Sequence, residues 1–271
     1  MVGAILGVIV SPMVHAKEIK KLAEAVQNPV SDLERVGFTN GTFFGAGAND
    51  HIFNVFNLQA STTKRFGDWG LLNRLNIPLP YVPASAIADK SGSLAGLGDI
   101  EYTGFFARDE SKRRFKLIGG LGPTFIFNTA TDDRLGLGKW SVGPTLAIVS
   151  IPDPWVVGVL VRNLWSFAGD TQRPKVNLFL VQPFLNYNFH NGWYLTSTPA
   201  ITANWKAEDH RNRWTVPLGG GVGKVMFRGE KRPINIRLQG FYFLEKSELA
   251  PDWTLLLRFQ LLFPDTTDSA D

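Results

Sequence analysis

The chain contains no cysteine, so acid–base or nucleophilic chemistry near neutral pH would fall first to its four histidines, His15, His51, His190 and His210. A hydrolytic centre needs a nucleophile and a base within hydrogen-bond reach, and a third group to orient the base. None of the four has an obvious serine partner on an outward strand face at the right height. His190 stands in a short turn and His210 in a longer loop, and the alternation of connections puts them at opposite ends of the strands. They read as solvated rim histidines, no catalytic residue is assigned, and the chain is expected not to be an enzyme. The acidic pairs Asp132/Asp133 and Asp99/Glu101 lack the spacing that gathers the six or so oxygens of a hard-cation site. Glycine runs such as Gly219-Gly220-Gly221 have no strand-to-helix context for phosphate. Neither a metal nor a cofactor is expected.

A second set carries more. Arg74, Glu101, Arg162, Arg237 and Arg258 share one phase of a period-2 alternation with Gln182, Asn186, Gln239 and Gln260, and Asn57, Gln59 and Lys116 join them. Charges on the inner face of a closed sheet do one of two things. They line a wet pore and select among ions, or they pair and brace the interior, as Glu101 would with one or two arginines. Both uses stay open on the sequence alone. In the first, Arg74, Arg162, Arg237 and Arg258 form the constriction and favour anions or electron-rich solutes.

The elements that would position these residues are strands. In Trp253–Phe263 the apolar residues Leu255, Leu257, Phe259, Leu261 and Phe263 alternate with a face holding Arg258 and Gln260. That pattern suits a half-buried strand, and equally a membrane strand with lipid on one side and a lumen on the other. Similar runs recur over 38–45, 51–62, 69–81, 97–107, 114–128, 139–150, 154–167, 175–188, 193–205, 213–227 and 233–244, which makes twelve. Connections alternate between short turns and longer loops. Short periplasmic turns and long outer loops produce that asymmetry, so the chain should begin and end in the periplasm.

The tryptophans favour the membrane. All eight, Trp69, Trp140, Trp155, Trp165, Trp193, Trp205, Trp214 and Trp253, fall at or near strand ends. About ten residues between such ends, tilted by ~40°, rise ~25 Å, the height of a lipid-facing band between two aromatic girdles. A mean hydropathy near zero fits lipid-facing and lumen-facing residues averaging out, and no apolar run reaches the ~20 residues of a membrane helix. The net charge of +4 is not clustered as nucleic-acid binding requires. Pro78, Pro80, Pro123, Pro144, Pro183, Pro199 and Pro217 fall inside the proposed strands. Because a closed barrel has no edge, each must sit at a bulge, a strand end or a bend.

The remaining residues divide into three short pieces. Residues 1–16 read as a signal peptide, with an apolar run and small residues at Val14 and Ala16. Residues 17–37 form a helical and irregular segment whose Ile19, Leu22, Ala23 and Val26 share a face, and Asn28-Pro29 stops the helix. The barrel is expected over 38–263, with a disordered tail at 264–271.

Several stretches taken together resemble a known family. They are Gly96-Leu-Gly-Asp-Ile100, Gly122-Pro123, Thr129-Ala-Thr-Asp-Asp133 with Gly138-Lys-Trp-Ser-Val-Gly-Pro144, Trp165-Ser-Phe-Ala-Gly169, Asn191-Gly-Trp-Tyr-Leu195 and Trp214-Thr-Val-Pro-Leu-Gly-Gly-Gly-Val-Gly-Lys224. Over roughly residues 28 to 264 the chain resembles the Gram-negative outer-membrane β-barrels named for the meta-cleavage pathway of phenol degradation, often labelled transporters. The resemblance implies an outer-membrane barrel that passes small molecules, aromatic ones among them, and it brings no catalytic residues.

The expected fold is therefore all-β: an antiparallel transmembrane β-barrel of about twelve strands with a short N-terminal helix, in a Gram-negative outer membrane. Its partners would be outer-membrane lipid and a small-molecule solute, with no nucleic acid. A channel or transporter for small, aromatic or anionic solutes is the leading function. The alternatives are a closed barrel that binds through its loops, and a soluble β-sandwich or lipocalin-like carrier.

Overall fold

The computed structural model describes residues 12–47, 49–83, 92–108, 117–228, 232–248 and 250–264. Twelve antiparallel strands run in sequence order: β1 (Glu34–Ala46), β2 (His51–Phe66), β3 (Trp69–Val82), β4 (Ile100–Arg108), β5 (Leu117–Phe127) and β6 (Lys139–Ser150). They continue with β7 (Trp155–Gly169), β8 (Asn177–Asn188), β9 in two segments (Trp193–Ser197 and Ile201–Asn204), β10 (Trp214–Arg228), β11 (Arg232–Glu245) and β12 (Trp253–Phe263). Each pairs with its neighbour in sequence, and β12 closes on β1 in register from Glu34↔Phe263 to Phe44↔Trp253. Closure into one barrel leaves no second sheet, which disposes of the sandwich.

The alternation resolves as a pleated sheet dictates. On β12 Leu255, Leu257, Leu261 and Phe263 are exposed on the outer surface, while Thr254, Gln260 and Leu262 are buried inside. Leu58, Phe106, Leu121, Leu146, Leu185, Leu218 and Leu238 extend the exposed apolar surface around the barrel. So large a contiguous apolar exterior is foreign to a water-soluble monomer.

Every proline found within a strand sits where the ladder is already interrupted. Pro217 marks the register shift between β10 and β11. Pro199 lies in the gap between the two segments of β9, opposite Pro183, where pairing skips from Leu185↔Ser197 to Val181↔Ile201. Pro78 and Pro80 lie beyond the last β3–β4 pair, Asn76↔Glu101. Their carbonyls accept from the backbone N–H of Gly98 and Gly96. Pro123 and Pro144 face each other across β5 and β6, each absent from the ladder on its other side. The preceding glycines are needed there. A Cβ on Gly122 would stand 1.7 Å from the Gly104 carbonyl oxygen, and one on Gly143 the same distance from that of Asn163.

Several boundaries move, the end of β2 reaching Phe66 rather than residue 62, and two of the shifts bear on the N-terminal segment. β1 starts at Glu34 rather than Phe38, because Glu34 to Gly37 pair with Phe263 to Gln260. A stretch opening with two charged residues has a weak strand signature and takes its conformation from its partner. The helix α1 spans Pro12–Gln27. It therefore begins within the proposed signal peptide, whose residues 1–11 lie outside the described residues, as do residues 265–271 of the proposed tail.

Both α1 and Phe263 lie at the end of the barrel that carries the short turns. There α1 docks on the turn His190–Gly192 and on β8 and β10. Lys20 makes an ion pair with Asp153 at 2.6 Å.

Candidate functional site

The interior holds a cavity of about 600 Å³. Its walls carry Arg35, Arg74, Glu101, Gln182, Arg237, Gln239, Arg258 and Gln260, with Phe43, Phe241 and Phe243 further toward the long loops. Strand register explains the clustering. Arg237 and Arg258 are directly opposed on β11 and β12, and Thr39 of β1 completes that level. Arg35 and Arg74 flank Ser61 of β2 on a neighbouring level.

Most of the polar wall satisfies itself. Thr39 donates to Gln59, Gln59 to Asn76 and Asn76 to Asn57, forming an amide ladder across β1, β2 and β3. Asn235 accepts a hydrogen bond from the Tyr194 hydroxyl at 2.7 Å and donates one from its amide N–H to Gln260 Oε1 at 3.0 Å. Thr103, Thr124 and Thr145 link hydroxyls from β4 through β5 to β6.

The charges are less evenly matched. Arg162 and Glu101 form an ion pair at 2.6 Å, which answers the one acid that the described residues bring to the cavity wall. No carboxylate of a described residue lies within salt-bridge distance of Arg35, Arg74, Arg237 or Arg258. Arg258 donates to the Thr39 hydroxyl at 2.9 Å, and Arg74 also lies over the Phe105 ring. Gln239 is 1% exposed, and its Nε2 has no hydrogen-bond partner among the described residues. Four guanidiniums and a spare amide thus surround one space, with no carboxylate of a described residue in ion-pairing contact with any of the four.

The floor of the cavity is the chain's own N-terminal segment. The strap of residues 28–33 joins α1 to β1 across the short-turn end of the lumen. Val30 packs among Leu72, Phe105, Ala107, Ile118, Val149 and Phe184 on one side. Leu33, with Leu22 and Ala23 of α1, packs against Tyr194, Val225 and Leu262 on the other. Polar contacts pin the same segment. Gln27 and Asn188 exchange amide hydrogen bonds of 2.7 and 3.2 Å. Arg35 donates to the Val26 carbonyl at 2.9 Å, Arg74 to the Pro29 carbonyl at 2.8 Å, and Arg65 pairs with Asp32.

Seven of the nine residues expected in the lumen, Arg74, Glu101, Gln182, Arg237, Gln239, Arg258 and Gln260, line this one cavity. Arg162 is brought to it through Glu101. Asn186 stands apart: it is 1% exposed, and its amide donates to the Val156 carbonyl. Lys116 lies outside the described residues. Arg35 and the strap are absent from the sequence-derived set: Arg35 shares a period-2 phase with Thr39 and Phe43, but it precedes Phe38, where the strand signature begins.

The remaining candidates have local partners. Asp99 accepts backbone N–H bonds from Thr129, Ala130 and Leu137, tying the segment after residue 95 to the 129–138 loop. Side-chain and backbone hydrogen bonds from Arg134 hold the Asp132 carboxyl down at about 2. His190 and His210 sit in turns at opposite ends of the barrel. Among the described residues no three His, Asp or Glu side chains gather as a metal site would need.

The tryptophans fall in two tiers. Trp69, Trp155 and Trp193 open strands at the short-turn end. Trp140, Trp165, Trp205, Trp214 and Trp253 stand toward the long loops. All are exposed except Trp214, which is half-buried beside Phe179 and Trp205.

A closed antiparallel barrel with an apolar exterior and a polar lumen defines the outer-membrane β-barrel class. The solved structures it resembles belong to that class. An outer membrane channel from Pseudomonas putida F1 matches at a TM-score of 0.64 and 19% identity, over 88% of this chain and 98% of that one. The NanC porin matches at 0.53 and 9% identity, over 85% of this chain and all of the other. Such identities show a shared fold. No protein-family model and no curated protein sequence matches the chain.

Proposed function

We propose that this protein is an outer-membrane channel for small anionic solutes, with Arg35, Arg74, Arg237 and Arg258 as its selecting residues. The observation that carries the reading is the set of four cavity-lining guanidiniums without a carboxylate partner among the described residues. Fixed charges at close quarters repel ions of like sign and draw in the opposite one. The Glu101–Arg162 pair braces the neighbouring wall, from β4 to β7.

The apolar exterior and the two tiers of tryptophan support a place in the outer membrane of a Gram-negative cell. The short turns, α1 and the end of β12 would face the periplasm. The channel and porin of like fold support passage of solute as the activity. The resemblance to barrels named for phenol degradation supports aromatic compounds among the solutes, and Phe43, Phe241 and Phe243 give them an apolar wall.

Reversal potentials in planar bilayers under a salt gradient test the reading. Anion selectivity that falls in Arg237→Gln and Arg258→Gln supports it, and cation selectivity would overturn it.

A second reading, a closed barrel that binds through its outer loops, draws on the strap that fills the short-turn end. It predicts that loop deletions abolish binding while permeability stays at background.

A further inference from the structure

Arg35 and Arg74 have two roles in the same structure: they line the cavity, and they hold down its floor. Each spends a guanidinium hydrogen bond on a neutral carbonyl of the N-terminal segment, at Val26 and Pro29. A carboxylate, which a guanidinium can grip with two parallel N–H donors, is the stronger acceptor for such a donor. A few residues away Arg237 and Arg258 are directly opposed across two strands. Like charges in that position destabilise a sheet unless an anion lies between them. The buried Gln239 offers its unpartnered Nε2 in the same space. Toward the long loops, Phe43 and Phe241 both face Thr254, four residues along β12 from Arg258. That separation is roughly 13 Å of strand, enough for an apolar body above a bound charge.

From these we infer that the lumen contains a binding site for a small carboxylate with an apolar body, and that filling it draws Arg35 and Arg74 off the strap and unplugs the short-turn end. The inference rests on the channel reading and adds its regulation. The geometry makes the coupling direct. The carboxylate enters from the side of Phe43 and Phe241 and meets Arg237, Arg258 and the Gln239 amide first. Arg35 and Arg74 turn toward it and release the carbonyls of Val26 and Pro29. The strap then keeps the Gln27–Asn188 amide pair, the Arg65–Asp32 ion pair and its apolar contacts. By reciprocity, whatever loosens the strap tightens the carboxylate.

The test uses the absence of native cysteine. Gln27→Cys with Asn188→Cys replaces the reciprocal amide pair by two thiols, which oxidation together with a short dithiol spacer bridges to lock the strap, the span of the amide pair being too long for a direct disulfide. Full-length protein is placed in planar bilayers with benzoate, acetate, sulfate or neutral benzyl alcohol as probes. In the reduced double variant and the parent chain, benzoate should raise open probability roughly tenfold, the scale set by losing two hydrogen bonds of ordinary strength. Acetate and sulfate should do less, and benzyl alcohol nothing. Oxidation should abolish the rise. Arg35→Ala and Arg74→Ala should show higher resting open probability and a weaker response to benzoate.

A benzoate response that survives oxidation, or an equal response to benzyl alcohol, would overturn the inference. Currents of unchanged anion selectivity that ignore the oxidation state would sink the gate and leave the channel standing. If neither the reduced double variant nor Arg74→Ala conducts while both barrels are folded, the channel reading fails and this inference with it.

Discussion

Val30→Ala is the sharpest probe of the strap. Val30 is 3% exposed and fills the space between Leu72, Phe105, Ile118 and Phe184. The change removes two methylene equivalents at about 0.8 kcal/mol each, and the void left behind brings the cost to about 2 kcal/mol. That cost falls on docking of the strap, because the twelve strands keep their own ladders. Since 1.4 kcal/mol is a factor of ten, the undocked fraction should rise about thirtyfold. A single reporter, Ser31→Cys, measures it: Ser31 is 6% exposed and the chain has no other thiol. Maleimide labelling should follow the open population of the strap and quicken about thirtyfold in the Val30→Ala background. Strand circular dichroism should not change. If labelling of the parent already runs at the rate of a free thiol, or quickens less than about threefold with the barrel intact, the strap is not held by this packing.

Other perturbations separate the roles of neighbouring groups. Gly120→Ala would place a Cβ 2.5 Å from Val30 Cγ1 and should also release the strap, seen as faster Ser31→Cys labelling. Glu101→Gln leaves Arg162 without its partner, so anion selectivity should increase and thermal stability should fall by about 2 kcal/mol in the partly wet lumen. Asp99→Asn exchanges a charged acceptor of three backbone N–H groups for a neutral one. It should cost about 1–2 kcal/mol of loop order, read as faster proteolysis within 129–138.

Glu24 on α1 supplies a pH dependence. Burial raises its carboxyl above the ordinary value, Asp153 adds to the rise, and Lys20 and Lys21 oppose it. A carboxyl raised in the docked state binds its proton more tightly there than when undocked. Docking is therefore strongest below the undocked value and weakens as pH climbs through the raised one. Ser31→Cys labelling, corrected for thiolate fraction, should be slower at mildly acidic pH than at pH 7, and Glu24→Gln should remove the difference.

What was legible in the sequence was what obeys a short period. Alternation along Trp253–Phe263 identifies the exposed leucines and the inward Arg258 and Gln260, because side-chain direction in a strand is a local property. Proline positions foretold the ladder interruptions for the same reason. Asn163 and Lys224, which break the outer alternation, are accommodated by long-range partners. Asn163 bonds Asn177 and the Trp205 indole N–H, and Lys224 lies over the Trp193 ring at 4.8 Å. The strap was illegible for a related reason. Nothing local to residues 28–33 announces that Val30 will find Phe105 and Phe184, or that its neighbours will accept from Arg35 and Arg74. Arg35 went unread because β1 takes its first residues from pairing with β12 rather than from their own propensity. The Gly/Asp/Thr stretches around Asp99 and Thr129 stand out in the sequence as turn patterns, and the structure uses them to bind one long loop to another.

The measurement that bears most directly on function is the zero-current potential of the Val30→Ala variant in planar bilayers across a tenfold potassium chloride gradient, compared with the same variant carrying Arg237→Gln and Arg258→Gln. With the strap loosened and four guanidiniums facing the lumen, the potential should take the sign of chloride permeation and move toward zero when two of them are neutralised. A potential of the opposite sign, or a folded barrel that passes no current, would contradict an anion channel.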